Sequence, residues 1–159
     1  MIHLSAILAP VDFSAGSHFV VEYAAAMAHT FQASVTLLHV CQRADSMSGI
    51  VPGADKVVDD KENVALAGKA LDGLRAETQK HIGAGIGVLV VDGSPAHEII
   101  SAARSFQMVI MGSHGRTGLR RVLMGSVAEA VVRGAPCPVL TMHFPSLDVA
   151  SSLPSLSGT

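Results

Sequence analysis

Short apolar runs alternate with amphipathic stretches along this chain, and that rhythm predicts its elements. Leu4 to Val11 (LSAILAPV) is mostly apolar, as a strand covered on both faces should be. Phe19, Tyr23, Met27 and Phe31 then recur at every fourth position, a spacing that predicts one face of a helix, with Ser14 or Ser17 as its cap. Ala33 to Val40 (ASVTLLHV) is β-branched, apolar and too short for a typical helix, so it reads as a second strand ending near Cys41. Residues 42–58 carry Ser46, Ser48, Gly49, Pro52 and Gly53 without periodicity, which predicts a flexible surface insertion and a candidate lid.

The same rhythm continues to residue 142. Asp59 and Asp60 put negative charge at a helix start, Ala67, Leu71, Leu74 and Thr78 mark that helix's inner face, and glycines at 83, 85 and 87 end it. Val88 to Val91 is a third strand. Gly93, Ser94 as N-cap and Pro95 at the first helical position open a third helix, with Ile99, Ala103 and Phe106 facing inward. Met108 to Met111 is strand four, a glycine-rich loop spans Gly112 to Met124, helix four covers roughly Gly125 to Arg133, and Cys137 to Met142 is strand five. Strict alternation with short connections predicts a single α/β domain: a parallel sheet, right-handed crossovers and helices on both faces. Ligands in such sheets sit beyond the carboxyl ends of the strands, where Asp12 follows strand one and Gly112 follows strand four.

Length and composition sharpen this picture. At 159 residues there is room for one domain, read as residues 1–143. Phe144 to Thr159 holds five serines and two prolines and reads as a flexible tail, with a partner-binding role open. Hydrophobic residues make up 49% and charged residues 15%, which leaves apolar surface in need of cover and points to self-association. A net charge of -2 without a basic block argues against nucleic-acid partners. One Tyr, no Trp and five Phe argue against base-stacking platforms. The opening residues lack a basic n-region, Pro10 and Asp12 interrupt their apolar stretch, and no apolar run nears the roughly 18 residues of a membrane helix. The expectation is a cytoplasmic protein without membrane contact. Cys41 and Cys137 form no CxxC and suit a reducing compartment as small buried hydrophobes, with redox sensing at Cys41 the alternative.

The segment with the clearest chemistry is MGSHGRTGLRRVLMGSVAEAVV, residues 111–132. Glycines let backbone N–H groups approach an anion, and a helix opening at Gly125-Ser126 adds unsatisfied donors and about half a positive charge. Four arginines, at 104, 116, 120 and 121, lie between Glu98 and Glu129 with no acidic residue among them. The bland alternative is that the glycines only turn the chain and the arginines form a solvated face.

Gly112-x2-Gly115-x9-Gly125-Ser126 between a strand and a helix resembles the nucleotide-binding signature of the universal stress protein family. ILAPVDFS with Asp12, LLHV ending at Val40, and GSPAHEII after strand three resemble that family's other landmarks, over about residues 2–142. The resemblance implies a five-stranded parallel sheet in order 3-2-1-4-5, ATP bound across strands one and four together with Mg²⁺, and a homodimer through strand five. It implies that Asp12 and the backbone at Val40, beside Pro10 and Val11, hold adenine and ribose. Met111, Gly112, His114, Gly115, Arg116, Gly125, Ser126 and Val127 would line the ribose and triphosphate. The intact loop places the chain in the ATP-binding branch. Residues 42–58 and the tail fall outside what the resemblance accounts for.

Other nucleotide and hydrolase motifs are absent: there is no GxxxxGK[ST] and no GxSxG, and Gly83-Ala84-Gly85-Ile86-Gly87 precedes a strand instead of following one. Asp12 could equally cap the next helix. His114 could donate to phosphate, or simply face solvent. Histidines 3, 18, 29, 39, 81, 97 and 143 show no metal-ligand spacing, so no protein metal site is expected. Val139, Leu140 and Met142 make strand five an apolar edge that invites pairing with a second copy, unless the tail covers it. The reading is an ATP-binding stress-response module with at most slow ATP hydrolysis. The alternative is a nucleotide-free oligomeric interaction protein.

Overall fold

A computed structural model describes residues 4–42, 60–82, 85–114 and 124–144. Among the described residues five strands and four helices alternate: β1 (Ala6–Pro10), α1 (Ser17–Phe31), β2 (Ser34–Cys41), α2 (Asp60–Ile82), β3 (Ile86–Asp92), α3 (Pro95–Ala103), β4 (Met108–Gly112), α4 (Ser126–Gly134) and β5 (Val139–Met142). All strand pairs are parallel and the order is β3-β2-β1-β4-β5, the expected architecture.

The two-residue period of a strand sorts the core into two layers. Ile7 and Ala9 of β1, Val35 and Leu37 of β2 and Ile110 of β4 pack with Val20, Val21, Ala24, Ala25 and Ala28 of α1 and Leu71 of α2. On the opposite face Leu8, Leu38, Val109 and Met111 meet Ile99 and Ala103 of α3 and Ala128 and Val131 of α4. The central strands thus carry apolar side chains on both faces, which is why they read as unbroken apolar runs.

Helix α1 corrects one expectation. Phe19, Tyr23 and Phe31 lie on its outer side, each 43–51% exposed, while the valines and alanines above form the buried stripe. Neither Ser14 nor Ser17 is its N-cap: Gly16 takes that place without a side-chain cap, because the Ser17 hydroxyl donates to Asp12 Oδ1 instead (3.3 Å). In α2 the expected inner face holds, with Ala67, Leu71 and Thr78 buried and Leu74 packed on the same core. Strand β3 is longer than the VLVV run and includes Gly87, so that glycine is part of the ladder opposite Thr36 and does not end a helix. Phe106 does pack on the core but follows the end of α3. Strand β5 begins at Val139, two residues after the expected start.

The β3–α3 turn needs its glycine. Gly93 has φ +148°, and a Cβ there would sit 2.7 Å from Glu98 Oε1. Ser94 and Pro95 then start α3 as the sequence predicts. Among the described residues no helix is long and apolar enough to cross a membrane. The insertion expected at 42–58 falls, apart from Gln42, outside the described residues.

Cys41 and Cys137 are both half-buried thiols. Burial pushes the Cys137 thiol above its ordinary value, so the reactive thiolate is scarce at neutral pH. Iodoacetamide at pH 8 should therefore alkylate Cys137 several-fold more slowly than a small free thiol, as peptide mapping by mass spectrometry would record.

Candidate functional site

The strand order reverses between β1 and β4, and there the two chains leave the sheet in opposite directions. The β1 exit runs through Pro10, Val11 and Asp12 toward α1; the β4 exit runs through Gly112, Ser113 and His114. A cleft of about 600 Å³ opens between them, within the size range of small-molecule sites. Of the residues anticipated from sequence, Pro10, Val11, Asp12, Val40, Met111, Gly112, His114, Gly125, Ser126 and Val127 all line it. Gly115 and Arg116 lie outside the described residues, as do Arg120 and Arg121.

Asp12 uses one oxygen for the turn. Its Oδ1 accepts the Ser14 amide (3.0 Å) and the Ser17 hydroxyl (3.3 Å), which holds the chain between β1 and α1. Phe13, the next residue, has φ 60°, a left-handed backbone that costs a non-glycine residue about 1 kcal/mol or more. Its ring leans on His39 of β2 at 4.4 Å between centroids. His39 Nδ1 lies 2.8 Å from the Val11 carbonyl oxygen. A carbonyl only accepts, so Nδ1 is the donor in this bond.

Ser113 joins three elements on the other side. It is buried; its amide donates to the Met142 carbonyl of β5 and its carbonyl accepts the Gly125 amide at the start of α4, both at 2.7 Å. Its hydroxyl lies 3.0 Å from His114 Nδ1 and 3.4 Å from His143 Nδ1, and the two rings meet edge-on at 5.1 Å. Helix α4 starts on Gly125 with no side-chain cap. Its first-turn amides, which no carbonyl of the same helix can reach, stand at the cleft with the positive end of the helix dipole. Asp12 is the one carboxylate among the described lining residues, so the α4 end of the cleft favours an anion and the Asp12 end disfavours one. Among the described residues no group of three or more His, Cys, Asp or Glu could hold a metal ion.

Sequence reasoning missed several lining residues: Ser14, Gly16, Ser17, His39, Ser113 and Phe144. Ser113 stood inside the glycine segment, and only its burial distinguishes it. Phe144 stood in the expected tail, yet it stacks on Phe19 with ring centroids 5.1 Å apart. The domain's packing therefore extends at least to residue 144, and residues 145–159 lie outside the described residues.

A parallel sheet in this order, with helices on both faces and a cleft at its strand-order reversal, defines a doubly wound α/β protein. Residues 4–143 match the universal stress protein family, and the chain belongs to it. Universal stress protein MJ0531 of Methanocaldococcus jannaschii is 32% identical over 143 residues, covering 87% of this chain and 82% of that protein. Universal stress protein MJ0577 of the same organism is 30% identical over 151 residues, covering 86% of this chain and 93% of that protein. The solved structure of MJ0577 superposes with a TM-score of 0.73, covering 91% of this chain and 99% of that one. The universal stress protein from Archaeoglobus fulgidus, solved in complex with dAMP, shares the fold at 22% identity and a TM-score of 0.62, covering 89% and 98%.

Proposed function

We propose that the protein binds an adenine nucleotide, ATP with Mg²⁺, and works in the cytoplasm as a stress-response module whose nucleotide state alters its association with itself or with partners. One observation carries this reading: the uncapped N-terminus of α4 and the bare floor at Gly112 face Asp12 and Val40 across a cleft large enough for a nucleotide. The residues fit the group. Backbone donors at Ser126 and Val127, which follow the bare Gly125, suit the phosphates together with Gly115 and Arg116 of the loop. Apolar walls at Pro10, Val11, Val40 and Met111 suit the base, and the Asp12 carboxylate suits ribose hydroxyls. Mg²⁺ would enter with the phosphates and its own waters, a mode that needs few protein carboxylates. That a family member was solved with dAMP supports the choice of nucleotide.

Calorimetric titration with Mg·ATP, Mg·ADP and AMP, together with acid extraction of the purified protein, tests the reading. Saturable binding supports it; no heat and no extracted nucleotide would sink it. Product analysis over many binding lifetimes separates a binder, which leaves ATP intact, from a slow hydrolase.

Self-association is assigned to β5. Among the described residues this edge strand pairs only with β4, and Val139, Leu140 and Met142 are each half-exposed. The parent should sediment at twice the 16.4 kDa chain mass. Leu140→Asp should sediment as a monomer with an unchanged far-ultraviolet circular dichroism spectrum. A parent that is monomeric at micromolar concentration would refute the β5 interface.

A further inference from the structure

Phe144 lies two residues beyond the end of β5, an edge strand, yet its ring reaches back over the exit of β4 to the start of α1. Its Cδ2 occupies the point 2.8 Å from where a Cβ on Gly16 would be, and its Cε2 lies 3.8 Å from the equivalent point on Gly112. It stacks on Phe19 at 5.1 Å and 24°, packs against the α1-side core and lines the cleft. Two glycines, one on each side of the cleft, thus leave the space that this ring fills.

The position matters because three helices start at the cleft, of which α3 presents at its start only Pro95, a residue without an N–H. Both α1 and α4 present partial positive charge there. At α1 the ring lies over Gly16, and Asp12 Oδ1 already accepts the Ser14 amide and the Ser17 hydroxyl. At α4 no side chain caps the helix, and among the described residues only the Gly125 amide is taken up, by the Ser113 carbonyl. An anion therefore meets an apolar ring and a carboxylate at one end, and open amides at the other.

We propose that Phe144 is a specificity-determining wall of the ligand cleft: with Gly16 it closes the α1 end, so that the phosphates are confined to α4 and the sugar lies against the ring. The proposal rests on the nucleotide reading above and adds the residue that sets the ligand's direction. It is a positioning residue and takes no part in any bond-making step.

The chain has no tryptophan, so Phe144→Trp places a single reporter in this wall. Titration with Mg·ATP should quench its emission saturably, with the midpoint found by calorimetry on the same variant. Phe144→Ala should weaken Mg·ATP binding about tenfold, the size of one aromatic contact, and Phe144→Leu should recover part of that loss. Gly16→Ala, whose new methyl would push the ring away, should weaken binding alone but add nothing in the Phe144→Ala background. Binding by calorimetry with unchanged tryptophan emission would overturn the wall while leaving the nucleotide reading intact. Full additivity of Gly16→Ala and Phe144→Ala would do the same, and covers the case where the bulkier tryptophan disturbs the fold. A parent that binds no nucleotide would overturn both.

Discussion

With Mg·ATP at a hundred times its dissociation constant, the protein should melt roughly 5–10 °C higher than alone. Binding to the native state alone adds about 2.7 kcal/mol at that saturation, and a domain of this length converts each kcal/mol into about 2–4 °C. ADP should give a smaller shift and AMP the smallest, because each phosphate removed gives up contacts at the α4 end. Gly125→Val is the matching control. Gly125 sits at φ −71°, ψ 155°, a backbone that valine adopts without strain, so the substitution adds bulk at the mouth of the helix. Its amide can still donate to the Ser113 carbonyl. The variant should melt near the parent without ligand and lose most of the Mg·ATP shift. An equal shift in the variant would place the triphosphate elsewhere. No shift in the parent would transfer function to the β5 edge and the exposed aromatic side of α1.

The sheet was legible in the sequence because β1, β2 and β4 are buried on both faces and so appear as apolar runs. The candidate cleft was legible for a related reason: in an open parallel sheet, ligand clefts open where strands end, and Asp12 and Gly112, each the polar or bare residue after such a run, both line it. Helix α1 was misread through side-chain size. A spacing of four residues advances about 400° around a helix, so each step drifts by roughly 40°. From Phe19 to Phe31 the series walks about a third of a turn, starting on the side away from the sheet, and only Met27 packs on the core. The real stripe, Val20, Val21, Ala24, Ala25 and Ala28, is made of small residues, since a helix lying close on a sheet has little room between backbones. Two further features had no local signal. His39 shares its strand face with Val35 and Leu37, as alternation demands, but its bond to Val11 depends on where β1 ends. Phe144 sits among serines and prolines, and only the tertiary fold brings it to Gly16.

Leu8→Ala should cost about 2–5 kcal/mol and lower the melting temperature by roughly 5–15 °C, the largest loss expected of a single truncation here. Leu8 is fully buried on the middle strand, in register with Thr36 of β2 and Val109 of β4. Its cluster includes Leu38, Ile99, Met111 and Val131. Neighbours fixed by ladders on both sides cannot slide into the space, so the cavity persists and its cost adds to the lost transfer energy. Leu89 makes the contrast: it lies on the edge strand β3 with 38% of its surface exposed, and its truncation should cost under about 1 kcal/mol. Urea titration would measure both, with an unchanged slope for Leu8→Ala if the native state keeps its compactness. The same variant reports how scaffold and site are coupled. Leu8 itself does not line the cleft, but Leu38, Ile99 and Met111 of its cluster do, so Mg·ATP affinity in the folded Leu8→Ala protein should fall by about two- to fivefold, as expected for sites that share partners. A tenfold loss would mean that the β1 exit moves with the core beneath it, and that the cleft is shaped by packing in the α3–α4 layer as much as by its own residues.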